Sequence, residues 1–568
     1  MSSVVARRPL EVLLASLRRW SSIDLRCASE AHFAFAISCT WALLYNATFW
    51  EQTLRAMWHP TPGGVAFLLS LFVLAVALQA LLLLLMPNPI ALRAAASCLF
   101  VVAAASAYFC NEYGAIMNKD MLRNVLETDS AEVAGLINLD LLVEILVLGI
   151  LPGLLVWRVS LPKIRCIHRA RQRIGAIATT MVICVGALFA CSASYAVFFR
   201  EHKPIRYTLL PAAPIASLIA VLSGAGDRPA EQPMLDPAAD SHSIGAASRR
   251  PLVLFVVIGE TARAENFQLG GYGRDTNPNL EHIDDLVYFD QTISCGTSTA
   301  LSVPCMFSSY DREHFEPKNA AHTTNLLDAL VAAGFDVEWR DNNAGCKGVC
   351  ARVSQISYRD NRADPSCIDS YCYDEVMLTD LPARLRKIKR DTVIVFHQIG
   401  SHGPAYAKRY PPELGRFKPA CRSNRLHECT AQEVVNAYDN TIAYTDRVLA
   451  RQIGMLREAS QQVDGALLYV SDHGESLGEQ SIYLHGMPYT FAPWVQKHVP
   501  MLLWASPQYQ ARVGLRLQCV RARAHRALSH DNLYHTVLGL TEVRNKAYDA
   551  SLDISASCRD GTLGFEHE

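Results

Sequence analysis

Five uninterrupted apolar runs, each long enough to cross a lipid bilayer, lie in the first 200 residues of this chain. An α-helix needs about 20 apolar residues to span a hydrocarbon core of roughly 30 Å. The runs cover residues 31–50, 64–86, 89–110, 139–157 and 176–199. One such run could be a buried core helix, but five of them together predict a bundle of membrane-spanning helices.

The remainder of the 568-residue chain has the composition of a water-soluble protein. A chain of this length exceeds a single compact domain. Prolines interrupt residues 201–250, which predicts a semi-flexible connector without helix. We therefore expect a transmembrane domain over residues 1–200, the connector, and a soluble domain over residues 251–568. The net charge of -1 gives no indication of a nucleic-acid partner.

The charges between the apolar runs predict an orientation, because Lys and Arg are retained on the cytoplasmic side of a membrane. Basic residues precede the first run and fill the loop before the fifth, where Arg169, Arg171 and Arg173 lie, whereas acidic residues dominate between the third and fourth. A cytoplasmic N-terminus and five spans place the soluble domain outside. The basic N-terminal stretch continues through an amphipathic segment, so we expect no cleaved signal peptide.

Ten of the 17 cysteines follow residue 290, and an even number in an exported domain favours disulfides. Pairing by closeness gives four short pairs and leaves one distant pair. The predicted pairs are Cys295 with Cys305, Cys346 with Cys350, Cys367 with Cys372, Cys421 with Cys429, and Cys519 with Cys558. The second and third pairs also have spacings of a zinc knuckle, although an oxidising compartment disfavours free thiolate ligands.

Short apolar, β-branched runs recur through the soluble half, at residues 252–260, 335–341, 392–400, 466–474 and 500–506. Their apolar character is continuous rather than alternating, which indicates strands that are covered on both faces. We therefore expect an α/β domain in which helices flank a parallel or mixed sheet.

Metal-type ligands stand at or beyond the ends of three predicted strands. The first strand delivers Glu260, another delivers Asp472 and His473, and the strand containing His397 is followed by His402. Active sites of open α/β sheets lie at the carboxyl ends of the strands. One such residue is usually a capping or hydrogen-bonding group, but several that converge from separate strands indicate a site.

A hydroxyl-rich turn, SCGTSTALSVPCMFS at residues 294–308, leads into a predicted helix. Its hydroxyls could merely cap that helix. Placed at a helix N-terminus, they would also suit an anionic phosphate. Because a divalent cation favours the alkoxide form of a hydroxyl, this turn and the metal-type residues together indicate phosphoryl chemistry.

Several longer strings resemble the lipid A phosphoethanolamine transferases, a family of the alkaline phosphatase superfamily that includes the mobile colistin-resistance enzymes. The strings are VVIGETARAENFQLGGYGRDTNPNL (256–280), SCGTSTALSVPCMFS (294–308), RDNNAGCKGVC (340–350), HQIGSHGPAYAKRYP (397–411), NAYDNTIAYTD (436–446), YVSDHGESLGE (469–479) and YLHGMPY (483–489). The resemblance covers nearly the whole chain. It implies an N-terminal bundle of five transmembrane helices in a Gram-negative inner membrane and a periplasmic, alkaline-phosphatase-like α/β/α domain.

The resemblance also implies roles for individual residues. Thr299 would be the nucleophile, and the ligands of one zinc ion would be Glu260, Thr299, Asp472 and His473. The positions matched to the phosphoethanolamine group, to a second zinc or to substrate phosphate are His402, His485, Asn343 and Lys347.

Further positions have less direct roles. In the outward loop, the residues matched to a lipid-donor cavity are Tyr113, Asn124, Thr128 and Glu132, for which a helix-surface role is an open alternative. Arg263 and Arg274 are expected to fix the loop after the first strand, and His397 to support the site from behind.

The implied reaction moves phosphoethanolamine from phosphatidylethanolamine to a phosphate of lipid A through a phosphothreonine. The product would lower negative surface charge and confer resistance to polymyxin-like peptides. Membrane lipids are then the partners, nucleic acid is not, and a monomer is expected. Alternatives are transfer to a lipopolysaccharide core sugar or periplasmic glucan, a phosphodiesterase or sulfatase that uses water, and a non-enzymatic receptor.

Overall fold

The chain is described here from a computed structural model. It describes residues 25–57, 61–127, 133, 136–162, 164–225, 234–245, 250–320, 322–358, 364–368 and 371–560. The chain divides into a helical unit (Met1–Leu122 and Ile137–Gly224) and a sheet unit (Arg123–Leu136 and Ala225–Glu568). The candidate cavity residues Thr128 and Glu132 lie outside the described residues.

The first part of the chain is almost entirely helical. Its helices are α1 (Glu30–Leu44), α2 (Ala47–Met57), α3 (Pro62–Leu84), α4 (Pro89–Tyr113), α5 (Lys119–Glu127), α6 (Leu139–Glu144), α7 (Leu151–Leu155), α8 (Cys166–Ala190), α9 (Ser192–Glu201) and α10 (Ala212–Ala225), with a short strand pair β1 (Leu25–Arg26) and β2 (Val159–Ser160). Among the described residues, four helical segments are long and apolar enough to cross a membrane: Pro62–Leu84, Pro89–Tyr113, Leu139–Arg158 and Cys166–Ala190.

The first predicted span, residues 31–50, is divided in the structure. Helix α1 ends at Leu44 and α2 begins at Ala47. Between them, the buried side chain of Asn46 donates hydrogen bonds to the carbonyls of Trp41 and Leu210 and accepts one from the N–H of Leu210. These bonds replace helical ones, and the 15 residues of α1 extend only about 22 Å.

The fourth predicted span is one continuous helical segment with a wide turn in it. A π-helical turn, Ile145–Ile150, joins α6 to α7. Pro152 lacks an N–H, so it cannot bond the carbonyl of Leu148, four residues before it. The hydroxyl of Tyr45 donates to that carbonyl at 2.5 Å. The carbonyl that Pro152 leaves without a helical donor thereby gains a partner within the helical unit, as an apolar environment requires.

The fifth predicted span starts ten residues earlier than expected, at Cys166. The arginines that were expected in the preceding loop therefore lie in the first turns of α8. Arg169 and Arg173 form ion pairs with the buried carboxylate of Glu30, at 3.0 and 2.5 Å. Charge pairing with Glu30 of α1 thus compensates two of the arginines in this basic segment.

The predicted connector also differs from expectation, because α10 occupies part of it. Pro214 lies in the first turn of this helix. The first N–H groups of a helix have no intrahelical partner, so proline costs little there. Proline content alone was therefore a poor guide to this segment.

The sheet unit alternates strands and helices. Its strands are β3 (His242–Ser243), β4 (Leu252–Gly259), β5 (Leu286–Ile293), β6 (Asp336–Asp341), β7 (Ser354–Ser357), β8 (Cys367–Ile368), β9 (Tyr371–Cys372), β10 (Thr392–His397), β11 (Asp464–Ser471), β12 (Ser476–Leu477), β13 (Tyr483–Leu484), β14 (His498–Ala505), β15 (Leu528–Ser529) and β16 (Val543–Arg544). Its helices are α11 (Thr299–Met306), α12 (Pro317–Ala320), α13 (Leu326–Ala332), α14 (Leu381–Lys387), α15 (Ala431–Glu458), α16 (Pro507–Val513), α17 (Leu517–Arg521) and α18 (Asp531–Leu540).

Eight strands form one mixed sheet in the order β15-β5-β14-β11-β4-β10-β6-β7. Strands β11, β4, β10, β6 and β7 are parallel, and β14 runs against its neighbours β11 and β5. All five strands predicted from apolar runs are present. Strand β5 was missed because its residues are alternately buried and half-buried, unlike the continuous runs.

Alternate residues of the central strands face two separate hydrophobic cores. In β4, Leu252 and Leu254 contribute to the core containing α11, α13, α16 and α18, whereas Val253 and Phe255 contribute to the core containing α14 and α15. Burial on both faces explains the continuous apolar sequence of β4. The predicted layered architecture is confirmed.

The five disulfides pair the ten cysteines as the sequence spacing predicts, so the zinc-knuckle alternative does not apply. Four of them join cysteines separated by 4 to 10 residues. The fifth, Cys519 to Cys558, has a separation of 39 and ties α17 to the C-terminal segment.

The long disulfide is expected to contribute more global stability than the short ones. In the chain-entropy model, the 39-residue closure contributes about 4 kcal/mol and the 4-residue closure Cys346–Cys350 about 2 kcal/mol. We expect the double variant C519A/C558A to lose about twice as much free energy of unfolding as C346A/C350A. Urea unfolding of the detergent-solubilised chain measures both losses, and equal losses would contradict the expectation.

Candidate active site

The carboxyl ends of the parallel strands β11, β4 and β10 meet at one edge of the sheet. Register pairs Ser471 of β11 with Gly259 of β4, and His397 of β10 with Ile258 of β4. Glu260 and Asp472 directly follow the first of these pairs, so two carboxylates from separate strands are brought side by side. Both are buried, as is His473.

The imidazole of His473 points into the centre of this group. Its Nε2 atom lies 3.3 Å from Oε1 of Glu260, 3.4 Å from Oδ2 of Asp472 and 3.5 Å from Oγ1 of Thr299. The hydroxyl of Thr299 donates to Oε2 of Glu260 at 3.0 Å. Four residues that the sequence placed in one predicted metal centre therefore have their polar atoms directed at one point.

Thr299 is the first residue of α11, and the loop before it is held by specific bonds. The Cys295–Cys305 disulfide closes the turn, and the N–H of Gly296 donates to Oγ of Ser302 at 2.9 Å. Ser298, at the N-cap position, makes no side-chain capping bond in the described structure. Thr297 instead donates to the carbonyl of Met487. Helix capping therefore does not account for these hydroxyls.

A second group of metal-type side chains shares Glu260. Ligand atoms of Glu260, His402 and His485 lie within 4.8 Å of one another, as do those of Glu260, Asp472 and His473. The rings of His473 and His485 have centroids 4.4 Å apart. Nδ1 of His485 lies 3.3 Å from the buried carboxylate of Glu475, which fixes the orientation of that imidazole.

The buried charges strongly influence one another. Burial and the charge of Glu260 raise the pKa of Asp472 to about 6. Burial by itself would lower the pKa of His473, but the carboxylates of Asp472 and Glu260 raise it to about 10. Burial also opposes ionisation of Glu260, yet its attraction to His473 lowers its pKa overall. Two adjacent buried carboxylates thus require positive charge between them.

This environment fits a divalent cation. Oε1 of Glu260 and Oδ2 of Asp472 are buried, and within the described part of the chain no hydrogen bond reaches either atom. Unsatisfied buried carboxylate oxygens are costly unless a cation is present. Carboxylate oxygens alone would suit several metals, and the imidazole of His473 favours zinc among them.

Asn343 lies beside the carboxylate of Glu260. Its amide donates to Oε2 of Glu260 at 2.6 Å and to the carbonyl of Gln398 at 2.9 Å. Behind it, His397 contacts Asp341, whose carboxylate also accepts a hydrogen bond from the N–H of Asn343. His397 therefore supports the site from within the sheet, and the expected contact of Asn343 with substrate phosphate remains a prediction.

Lys347 lies on the loop closed by the Cys346–Cys350 disulfide. It lines the same cavity as Ala300 and Pro304, which follow Thr299 on α11. Lys347 itself has φ of 51°, a conformation uncommon for a residue with a side chain. Its contact with substrate phosphate remains a prediction.

The other predicted residues have defined surroundings. Arg263 pairs with Glu479 at 2.5 Å, and Arg274 with Asp439 at 2.5 Å, so both fix the loop after β4 as expected. Tyr113 is buried at the end of α4, which differs from a helix-surface role. The described cavity candidates are Tyr113 and Asn124, and their contact with lipid remains a prediction.

Sequence reasoning missed His530. This buried imidazole accepts a hydrogen bond from the N–H of Cys295 at Nδ1, at 3.1 Å, and donates from Nε2 to the carbonyl of Ser471 at 2.9 Å. It therefore joins the loop before Thr299 to the strand that delivers Asp472. A histidine beside the two-residue strand β15 carries no pattern that would have revealed this role.

A known protein family matches the part of the chain that contains both the sheet and the site. The family model described as Sulfatase matches residues 252–543, which contain the eight-stranded sheet and the strand-end cluster. Fold and site thus define an enzyme of the sulfatase class.

A second model, Phosphoethanolamine transferase EptA/EptB, matches residues 74–225. Phosphoethanolamine transferase EptA of Escherichia coli is 38% identical over 533 residues, 93% of this chain and 96% of that protein. The chain belongs to the phosphoethanolamine transferase family.

Two further relatives agree with this assignment. Phosphatidylethanolamine transferase Mcr-1 of Escherichia coli is 35% identical over 509 residues, covering 88% of this chain and 92% of that protein. The solved integral membrane lipooligosaccharide phosphoethanolamine transferase A (EptA) of Neisseria meningitidis superposes with a TM-score of 0.90 at 33% identity, covering 94% of this chain and 99% of that chain. The predicted fold class, a membrane-inserted helical part followed by a sulfatase-like α/β domain, is confirmed.

His530 predicts a pH dependence of stability. Burial lowers its pKa from 6.5 to about 4, so the folded chain keeps it neutral while the unfolded chain takes up a proton below pH 6.5. The contribution of neutral His530 to the free energy of unfolding is therefore fully present above pH 6.5. It is lost as the pH falls towards 4, by on the order of 3 kcal/mol.

Comparing the native chain with His530→Gln isolates this effect, because the other titrating groups are common to both. Urea unfolding at several pH values between 7 and 4 should show the native chain losing more free energy of unfolding than the variant, in the window set by the shift from 6.5 to about 4. Parallel losses in the two chains would refute the assignment.

Proposed function

We propose that this chain transfers phosphoethanolamine from phosphatidylethanolamine to a phosphate group of lipid A, with a covalent intermediate on Thr299. The proposal rests on the position of the Thr299 hydroxyl, which lies 3.0 Å from the carboxylate of Glu260 and 3.5 Å from Nε2 of His473. A hydroxyl placed at a helix N-terminus within a metal-type cluster is suited to attack a phosphodiester.

The names of two relatives support the proposed substrates. One relative is named a phosphatidylethanolamine transferase, which supports phosphatidylethanolamine as the donor. Another is named a lipooligosaccharide phosphoethanolamine transferase, which supports an acceptor of the lipooligosaccharide type. Both relatives extend over most of this chain, including its apolar helices.

The transfer has two balanced steps. In the first, the bond from Thr299 Oγ1 to phosphorus forms, the bond from phosphorus to the glycerol oxygen breaks, and diacylglycerol leaves with the proton that the hydroxyl gives up. In the second, a phosphate oxygen of lipid A attacks phosphorus and the bond to Thr299 breaks. The oxygen of the threonine takes up a proton from the attacking phosphate monoester or from water, and the hydroxyl is ready for another turnover. Dividing the reaction in this way replaces one difficult transfer between two lipids by two easier ones.

Zinc is the proposed cofactor, held by Glu260, Asp472, His473 and Thr299. When bound, it favours the alkoxide of the threonine and neutralises charge on the phosphoryl oxygens. The chain itself orients the nucleophile, since Glu260 accepts the hydrogen bond of the Thr299 hydroxyl.

The remaining polar residues at the site are proposed to hold the transferred group. His402 and His485 share Glu260 with the first cluster and would hold phosphoethanolamine or a second zinc. Lys347 supplies a positive charge for the phosphate, and Asn343 orients Glu260 by donating to its carboxylate.

The proposed membrane location brings the enzyme to both of its lipid substrates. We propose that the helical unit spans the inner membrane with its N-terminus in the cytoplasm, so that the sheet unit lies in the periplasm. Donor and acceptor are both membrane lipids, and confinement to the same membrane raises their effective concentration. Adding a cationic amine to lipid A would reduce negative surface charge and weaken the binding of polymyxin-like peptides.

Replacing the nucleophile tests the mechanism. We expect Thr299→Ala to lower transfer by roughly a thousandfold or more, because the covalent route is lost. Thr299→Ser keeps a hydroxyl at the same position, now primary instead of secondary, and should retain measurable transfer. Mass spectrometry of lipid A from cells expressing each chain is the measurement.

The same experiment separates the alternatives. Native-level modification of lipid A by Thr299→Ala would refute the covalent mechanism. Unchanged lipid A in cells with the native chain, together with phosphoethanolamine on a core sugar or periplasmic glucan, would assign another acceptor. Release of free phosphoethanolamine without a modified lipid would indicate a hydrolase.

A further inference from the structure

Helix α15 carries a run of buried polar residues that the proposed chemistry does not use. Tyr438 and Thr441, from the NAYDNT string, are 0% and 1% exposed. They lie three residues apart, so their side chains share one face of the helix. Buried polar side chains in a helix require partners, and these two find them in two different loops of the active site.

Tyr438 holds the turn that directly follows Glu260. Its hydroxyl donates to the carbonyl of Thr261 at 2.6 Å and accepts from the N–H of Arg263 at 3.0 Å. Thr261 has φ of 52°, a left-handed conformation that is strained for a β-branched residue. The N–H of Thr261 in turn donates to Oδ1 of Asp472 at 3.2 Å. Tyr438 thus stabilises a strained turn that directly follows Glu260 and is hydrogen-bonded to Asp472, and both of these residues are proposed zinc ligands.

Thr441 holds the loop that carries His402. Its Oγ1 lies 2.7 Å from the hydroxyl of Ser401, and the N–H of Ser401 donates to the carbonyl of Glu260 at 2.9 Å. The loop passes so close to this backbone that a Cβ on Gly400 would lie 2.7 Å from the carbonyl oxygen of Glu260. Its position is therefore coupled to that of Glu260.

We propose that Tyr438 and Thr441 are positioning residues that together set the geometry of both metal-type clusters. Glu260 is common to the two clusters, and each hydroxyl holds one of the loops that approach it. Because both hydroxyls project from one helix that packs along the sheet, the distance between the loops is fixed by the helix rather than by either loop. Neither residue touches the reacting groups.

The proposal rests on the proposed zinc site. Zinc coordination tolerates deviations of only a few tenths of an ångström, and loss of a residue that orients a ligand typically lowers metal affinity by 10- to 100-fold. Tyr438→Phe removes the hydroxyl while keeping the ring, and it leaves the carbonyl of Thr261 and the N–H of Arg263 buried without that partner. The strained turn can then relax and move Glu260 away from Asp472 and His473.

The experiment measures zinc affinity by competition with a chromophoric chelator, using the full-length chain purified in detergent. We expect Tyr438→Phe and Thr441→Val to bind zinc 10- to 100-fold more weakly than the native chain. Two matched controls should keep native affinity. Tyr444→Phe removes another buried tyrosine hydroxyl from the same helix, on a residue that is 3% exposed and whose ring contacts Tyr373. Thr441→Ser retains the hydroxyl that contacts Ser401.

A second readout separates positioning from substrate binding. Because the two hydroxyls are proposed to place the metal and not the lipid, Tyr438→Phe should lower kcat while leaving KM for phosphatidylethanolamine near the native value. Native zinc affinity in Tyr438→Phe and Thr441→Val would overturn the proposal. Equal losses in the two controls would also overturn it, because general packing would then be the cause.

The remaining outcomes are equally decisive. If Tyr438→Phe does not fold, the comparison of Thr441→Val with Thr441→Ser decides the question. A native chain that binds zinc without modifying any lipid would refute the proposed function but leave the positioning role to be decided by the affinities. A native chain that binds no zinc would overturn the positioning role, while the lipid assay would decide the function separately.

Discussion

The carboxylate of Glu260 is held from several directions, and the rest of the site is arranged around it. One of its oxygens receives hydrogen bonds from Thr299 and Asn343, and the other faces the imidazole of His473. A buried carboxylate is expensive unless its charge is compensated and its lone pairs are engaged. Strand β4 brings this charge to the edge of the sheet, and neighbouring elements supply the compensating groups.

This dependence explains which features of the site could be predicted from sequence. Glu260, Asp472 and His473 follow strands that are recognisable by continuous apolar character, so their convergence follows from the parallel arrangement alone. The hydroxyl-rich string before a helix indicated a hydroxyl at the site, and the family resemblance singled out Thr299 within it. For the three strand-end residues, a local pattern and one general rule about strand ends were sufficient to predict that they lie together.

The residues that hold the site together were harder to predict, because their roles depend on long-range contacts. His530 joins segments that are 235 and 59 residues away in sequence, and Tyr438 reaches a turn 177 residues away. Local patterns contain no information about such pairings. The position of Asn343 against Glu260 was likewise invisible, since the string around it resembles a family motif without specifying which neighbour its amide contacts.

Local sequence separation also has a consequence for how the ten disulfide-bonded cysteines find their partners. In four of the pairs, the two cysteines lie within 10 residues of each other, so each pair needs only a short stretch of chain in order to form. Correct pairing in these four is favoured by simple proximity, before any distant cysteine can compete. Cys519 and Cys558 are the last pair in the sequence. By the time Cys558 is synthesised, Cys519 is the remaining partner, and biogenesis of the oxidised domain needs little disulfide reshuffling.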